Sequence, residues 1–396
     1  VALDEKDREL TGAATITYTN NSPDTLRYVW LNMDQNRFAA DSKYVAQRRS
    51  DGDNKESYGT IRGAYGHQDG DFGFKVKSIV GSAGQELNYT VVDTLMRVDL
   101  PVPLAGGGQT SFTVAWSHKI IEGEIYFGRG GYEHFEDEDN DIFQIAQWYP
   151  RLAVYSDNEG WHQQSFMGNS EFTLQFGDFD VEITVPDDHI VTATGVLQNP
   201  DTVLTSAQRD RLKQAETAKT PVMIVNQQEA IRNEADKAKR SKTWHFKAEN
   251  VRDFAWASSR KFQWDAQGYK TRDNRTVMAM SFYPKEASPL WDLYSTAALI
   301  HSMDVFGEKI FPYPYPVMIS VNGQVGGMEY PMLAFNGPRP VKDKKTEEIT
   351  YSRATKNALI AVVIHEAGHN WFPMIVNSDE RHWTWMDEGL NTYLQF

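Results

Sequence analysis

The 396-residue sequence contains no cysteine. That absence removes disulfides, thiolate metal ligands and thiol nucleophiles together, so any bound metal has to be held by histidine and carboxylate side chains. No run approaches the roughly 20 apolar residues that a membrane-spanning helix needs. Positive charge is short as well: 40 Lys plus Arg against 54 Asp plus Glu leave a formal net charge of -14. That balance repels phosphate backbones, and no basic stripe offsets it, which argues against a nucleic-acid partner. No internal repeat, secretory signal or transit segment is visible. What is present is ordinary globular composition, 40% hydrophobic, 12% aromatic and 24% charged, at a length that implies at least two domains. The opening stretch, Val1 to Leu10, reads as the lead-in to a strand. Asn391 to Phe396 carries neither the Gly nor the Pro that would stop a helix. The sequence is therefore expected to be clipped at both ends, and composition leaves the compartment open between periplasmic or secreted and cytoplasmic.

Short runs rich in Thr, Val, Ile, Tyr and Trp, bounded by Asn, Pro, Gly and Asp, lie at Ala14 to Tyr18, Leu26 to Met33, Leu95 to Leu100, Phe112 to Trp116 and Phe179 to Val185. They predict a mostly antiparallel β domain, a sandwich or saddle. Further strands are expected at Trp244 to Phe246, Phe254 to Ala257 and Thr276 to Phe282. Residues 206–242 shift to Gln, Ala, Glu, Lys and Arg, and read as a charged helical insertion. The acidic run Glu133 to Asp141 reads as a solvated loop, since it lacks the glycine and spacing of a calcium loop. The β domain is placed at 1–265. Beyond it, Leu290 to Val305 has helical spacing, Val317 to Val321 is a buried strand, and Asn357 to Trp371 is an apolar helix ended by Pro373. The second domain, 266–396, is thus expected to be α+β.

His365-Glu366-Ala367-Gly368-His369 places two imidazoles one turn apart on the same face of that helix, where they can share one ion. The residues before it, Leu359 to Ile364, are apolar all round, which predicts a buried helix. Two histidines and a carboxylate buried there need a task such as metal ligation. Glu388, 19 positions after His369 and at the expected start of the next helix, is the candidate third ligand. Two His and one Glu leave a coordination position open, as in a catalytic rather than a structural zinc site. Glu366 is rotated roughly 100° from His365 around the helix. It points beside the ion and is the natural general base for its water. His382 lies in the connection between the two ligand helices and is left out of the ligand set.

Gly326-Gly327-Met328-Glu329-Tyr330 follows the expected strand at 317–321. Glycines there allow a close approach of backbone to a ligand, and the carboxylate can hold a positive charge. Together with His365-Glu366-x-x-His369 and Glu388, this segment resembles the aminopeptidase N and leukotriene hydrolase family of gluzincin zinc metallopeptidases. The resemblance extends over Phe311 to Pro316 and the β domain, and so over most of the chain. It implies a β saddle, then a thermolysin-like catalytic domain with one zinc per chain, with the helical C-terminal part of the family absent. It also implies hydrolysis of N-terminal residues from peptides with a free N-terminus. In that family a Gly-x-Met-Glu-Asn segment lies beside the zinc, so Gly326, Gly327 and Met328 would line the substrate and Glu329 would hold its α-amino group. The segment from Gln144 to Arg151 resembles the part of the β domain that reaches the active site, with Gln147 as the second contact to the amine.

Three positions depart from the family pattern. Tyr330 stands for the usual Asn, and Gln395 stands seven residues after Glu388 where several relatives carry an acidic group that orients a ligand histidine. The family's oxyanion tyrosine lies well downstream of the third ligand, beyond Phe396, and Tyr393 is too close to Glu388 to take that role. Two other readings compete. A thermolysin-like endopeptidase would share the zinc ligands but leaves Gly326 to Glu329 and the large β domain unexplained. A peptide-binding protein with an intact zinc site and decayed catalysis is opposed by the retention of Glu366.

Overall fold

The computed structural model describes residues 1–44, 58, 70–343, 345–346 and 348–396. The chain divides into two compact units. The first comprises Val1–Gly128, Gln147–Phe176 and Asp379–His382, the second Arg129–Ala146, Gly177–Ser378 and Trp383–Phe396.

The first unit is built on antiparallel strands. Ala2–Asp4, Glu9–Thr19, Gln109–Lys119 and Lys75–Gly81 pair in that order. Along Gln109–Lys119 the alternate residues Phe112, Val114 and Trp116 are buried, which is the period-2 pattern of a strand with one face in the core. Gly12 sits opposite Trp116, and a Cβ there would lie 2.6 Å from the indole. Glycine at this point lets the ring lie across the neighbouring strand. A second sheet orders Arg151–Leu152, Leu26–Asn32, Leu95–Leu104 and Tyr89–Val92. Beside it Asp34, wholly buried, accepts from both Arg151 and Arg381, so a buried carboxylate is offset by two guanidinium groups. A two-stranded hairpin, Tyr155–Ser156 with Gly160–Trp161, completes the unit.

The second unit carries a six-stranded sheet in the order Val222–Val225, Gln263–Lys270, Thr276–Tyr283, Val317–Asn322, Leu333–Asn336 and Gly327–Tyr330. The first pairings are antiparallel, Thr276–Tyr283 to Val317–Asn322 and on to Leu333–Asn336 are parallel, and the last is antiparallel. The first parallel pair requires a crossover, supplied by the helix Leu290–Lys309. All six residues of Val317–Asn322 are buried, as expected of a central strand covered on both faces. Gly327–Tyr330 is the sheet's edge. A four-stranded sheet, Ile190–Ala193, Trp256–Ser259, Asn140–Ile145 and Gly131–Phe135, lies in the same unit. No helix among the described residues is long and apolar enough to cross a membrane.

Among the helices of this unit are α1 (Ser206–Ala215), α2 (Gln227–Asp236), α3 (Leu290–Lys309), α4 (Arg353–Gly368) and α5 (Glu388–Gln395). Both α1 and α2 start with a capping box, Thr205 with Gln208 and Asn226 with Glu229, which satisfies the first free N–H groups reciprocally. The charged segment 206–242 holds these two helices, and between them Val222–Val225 joins the six-stranded sheet.

Three expectations need correction. A boundary at residue 265 would cut the strand Gln263–Lys270, which pairs along its whole length with Thr276–Tyr283; hydrogen bonding, not composition, sets the unit. The acidic run is a β-hairpin whose tip carries the exposed Glu136 and Asp137, while several of its other carboxylates are engaged. Glu133 takes a two-pronged contact from Arg339, Glu138 meets Lys261 and Lys285, and Asp139 meets Lys237. The helix α4 is not buried all round: Leu359, Val363 and Ala367 form one buried stripe while Ala361 is exposed. Its apolar run includes small residues that tolerate the outer face.

Candidate metal centre

The Ser352 hydroxyl accepts from Thr355 N at 3.0 Å and starts α4, relieving one of its unpaired N–H groups. The helix packs on α3 and on the last two strands of the sheet, and its C-terminal turn carries His365, Glu366 and, as the residue closing the helix, His369. Glycine at 368 admits α5, because a Cβ there would collide with the Asn391 side chain and the Phe306 ring. Asn391 then donates from Nδ2 to the His365 carbonyl at 2.8 Å. Glu388, one turn earlier on α5, is thereby brought to the two imidazoles.

The three expected ligands converge. His365 Nε2 lies 3.2 Å from His369 Nε2 and 3.2 Å from Glu388 Oε2, and His369 Nε2 lies 3.6 Å from the same oxygen. A tetrahedral zinc held at about 2.0–2.1 Å keeps its ligands about 3.3–3.4 Å apart. The protons can be placed. His369 Nδ1 faces two acceptors, the Phe372 carbonyl at 2.9 Å and Asp387 Oδ1 at 2.8 Å. His365 Nδ1 faces Gln395 Oε1 at 3.1 Å, whose amide is oriented by donating from Nε2 to the Ala361 carbonyl at 3.1 Å. Both Nδ1 atoms therefore carry hydrogen, and both Nε2 atoms are turned toward each other and toward a carboxylate. Two imidazole nitrogens and a carboxylate oxygen at these separations can be joined by protons or by a cation, and the donor set fits zinc.

Charge gives the same result. Glu329, Glu366, Asp387 and Glu388 surround two imidazoles. Burial first, then the charges of Glu329, Glu388 and Asp387, push the Glu366 carboxyl well above the usual carboxylate range, against the pull of His369. Burial opposes a charged His369, yet Glu329, Asp387 and Glu388 outweigh it and hold the imidazole well above its ordinary value. Hydrogen bonds from His365 and His369 hold Glu388 well below the carboxylate range. The site has an excess of negative charge that a divalent ion would neutralise.

Glu366 is buried and its Oε2 has no hydrogen-bond partner. A Cβ on Gly327 would lie 2.6 Å from Glu366 Oε1, so this glycine lets the edge strand come up against the carboxylate. Gly326 faces open space. Met328 and Glu329 are buried, and Glu329 Oε1 lies 3.8 Å from His369 Nδ1. Tyr330, in place of Asn, is wholly buried with its hydroxyl 3.4 Å from the Arg129 carbonyl. Gln147 belongs to the first unit, is buried, and adopts a left-handed backbone with φ of 54°. In the second unit, Gln144 Oε1 accepts from Val325 N at 3.1 Å and braces the turn before Gly326.

Asp387 and Asn391 escaped the sequence reading. Asp387 adjoins a ligand, the one signal that was available. Gln395 does orient His365, with a neutral carbonyl in place of a carboxylate. Tyr393 is exposed.

No protein-family model matches the sequence, and neither does any curated protein. The fold, however, is similar to that of solved M1 zinc metallopeptidases. One from Deinococcus radiodurans aligns with a TM-score of 0.57 and 14% identity over 100% of this chain and 67% of its own. A mutant of a two-domain M1 zinc metallopeptidase bound to L-arginine, and a mutant from Deinococcus radiodurans bound to a Tyr-Ser-Ala substrate, align at TM-scores of 0.57 and 0.56 with 14% identity. This chain thus spans about two thirds of the length of those structures. At such identity the likeness establishes a multidomain, M1-like fold.

Proposed function

We propose that this chain removes N-terminal residues from peptides by zinc-dependent hydrolysis, with one zinc at the centre formed by His365, His369 and Glu388. The observation that carries the reading is the triangle of two Nε2 atoms and one carboxylate oxygen with edges of 3.2, 3.2 and 3.6 Å. The fold shared with M1 zinc metallopeptidases supports it. When bound, the ion would supply Lewis acidity, polarising the scissile carbonyl and acidifying the attacking water. Glu366, buried beside it, takes the proton from that water and delivers it to the departing amine. Glu329 receives the substrate's α-ammonium group, which selects a free N-terminus. The edge strand Gly327–Tyr330 can accept an extended peptide through its outer backbone groups, with Gly326, Gly327 and Met328 along the path.

The test compares amino-acid p-nitroanilides with their N-acetylated counterparts, with and without chelator. Free-amine substrates alone should be cleaved, activity should vanish with chelator, and Glu366→Ala should retain zinc without turnover. Glu329→Ala should lower kcat/KM for free-amine substrates. Equal cleavage of blocked substrates would mean an endopeptidase, while bound zinc without cleavage would mean a binding protein.

A further inference from the structure

Within the first unit a second group of metal-ligand side chains converges: Glu159, His162, Asp379 and His382, with one ligand atom from each within 4.8 Å of the others. They come as two pairs with the same spacing, Glu159-x-x-His162 and Asp379-x-x-His382. The first pair flanks the second strand of the hairpin Tyr155–Ser156 with Gly160–Trp161: Glu159 lies in its turn, and His162 N extends its ladder by donating to the Val154 carbonyl at 2.9 Å. The second forms a turn closed by His382 N on the Asp379 carbonyl at 3.1 Å. Each pair is therefore fixed by its own backbone, and only side chains join them.

The side chains are poorly satisfied by one another. The His162 side chain is 8% exposed, and its Nδ1 has no hydrogen-bond partner. Asp379 Oδ1, also buried and without a partner, lies 3.6 Å away. That is too far for a hydrogen bond and close to the separation of two ligands on one zinc. His382 Nδ1 lies 2.6 Å from Asp379 Oδ2, and Glu159 Oε2 lies 3.9 Å from His162 Nε2, which otherwise meets the Ser156 hydroxyl at 3.0 Å.

Gln164 adds a third buried orphan, its Oε1, while its Nε2 sits 2.8 Å from His382 Nε2. Turning this amide over would place Oε1 on His382 Nε2–H. That is the tautomer that frees Nδ1 to bind an ion, and it satisfies the orphaned oxygen as well. Arg381, between the two pair members in sequence, does not compete for the site. Its guanidinium turns to Asp34 and to the carbonyls of Ser170 and Gln164. Glu159, 48% exposed, and His382, 35% exposed, leave a path from solvent.

We propose that Glu159, His162, Asp379 and His382 form a second divalent-cation site of the zinc class, distinct from the centre on α4 and α5. Two imidazoles and two carboxylates are zinc ligands in a closed, structural arrangement. Occupancy fixes the Asp379–His382 turn to the hairpin, and this turn lies in sequence between the ligands His369 and Glu388. The chain's zinc content rises accordingly from one to two.

Elemental analysis of the whole chain, loaded with zinc and desalted, tests this against two double variants. The wild type should hold two equivalents, His162→Ala with Asp379→Asn one, and His365→Ala with His369→Ala one. A single equivalent in the wild type that survives in the first double variant and is lost in the second overturns the proposal. The converse pattern upholds this site and removes the one on α4 and α5. Because the first double variant can fail to fold, zinc is also titrated into the second while its melting temperature is followed. A rise of several degrees, removed by adding His382→Ala, is expected. No response to zinc, or a response to calcium alone, overturns the assignment.

Discussion

Asp387 Oδ1 lies 2.8 Å from His369 Nδ1, so the residue before Glu388 orients the imidazole of His369. Asp387 is buried, and with the Phe372 carbonyl it holds the His369 proton on Nδ1. Replacing it with Ala removes that anchor and lowers the basicity of the opposite nitrogen. Zinc affinity should fall by about 10–100-fold, measured by competition with a chromogenic chelator, and Asp387→Asn should lose less because its amide oxygen can still accept. Unchanged affinity in both variants would remove Asp387 from the centre.

Glycine at 327 is required by the Glu366 carboxylate rather than by a turn. A methyl group there would stand 2.6 Å from Glu366 Oε1 and must displace either the edge strand or the carboxylate. Gly327→Ala is expected to lower kcat by about 10²-fold, the scale of a displaced general base, while zinc content stays unchanged. At Gly326, which faces open space, the same substitution should leave kcat within about threefold. Equal effects at the two positions would contradict this division.

What could be read ahead of the structure was local. The α4 helix and its two histidines announce themselves by spacing, because a helix fixes where residues i and i+4 point. The strands at 112–116 and 317–321 are legible because burial imprints a period or an apolar run. What was not legible depends on partners distant in sequence. Glu133 looks like any solvated acid until Arg339 is folded against it. The strand Gln263–Lys270 gives no sign that its neighbour lies on the far side of the expected boundary. His382 groups in the structure with His162 and Glu159, which lie more than 200 positions upstream, and no local pattern connects them.

Lys261 shows the energetic side of such distant pairing. Its Nζ is wholly buried, at 3.2 Å from Glu138, 3.4 Å from Glu234 and 3.0 Å from Glu286. Lys261→Met would leave those carboxylates to Lys285, which reaches Glu138 at 2.5 Å and Glu234 at 2.8 Å. Breaking a buried ion pair from one side destabilises by about 3–5 kcal/mol, and the remaining lysine should hold the loss to the lower end. Urea denaturation measures it. Adding Glu234→Gln to Lys261→Met should recover part of the loss, and strict additivity of the two would deny the coupling.

Asp265 supplies a pH signature away from both proposed metal sites. It is buried in the second unit and accepts from Thr296 Oγ1 at 2.6 Å and from Tyr283 OH at 2.8 Å. Burial raises its pKa to about 7 and outweighs those two hydrogen bonds, which act to lower it. In the unfolded chain the same group titrates near the ordinary value of about 3.9. The folded state therefore holds a proton that the unfolded state has released at every pH between about 4 and about 7. Stability from this group is fully present below the unfolded value, declines by up to about 1.4 kcal/mol per pH unit across the window, and is flat above it. Asn cannot titrate, so the melting temperature of Asp265→Asn minus that of the wild type should move in favour of Asn from pH 4.5 to 7 and stay level beyond. Taking the difference cancels the pH dependence of the other groups. A difference independent of pH would mean that Asp265 is ionised in the folded chain throughout, with its two hydrogen bonds outweighing burial.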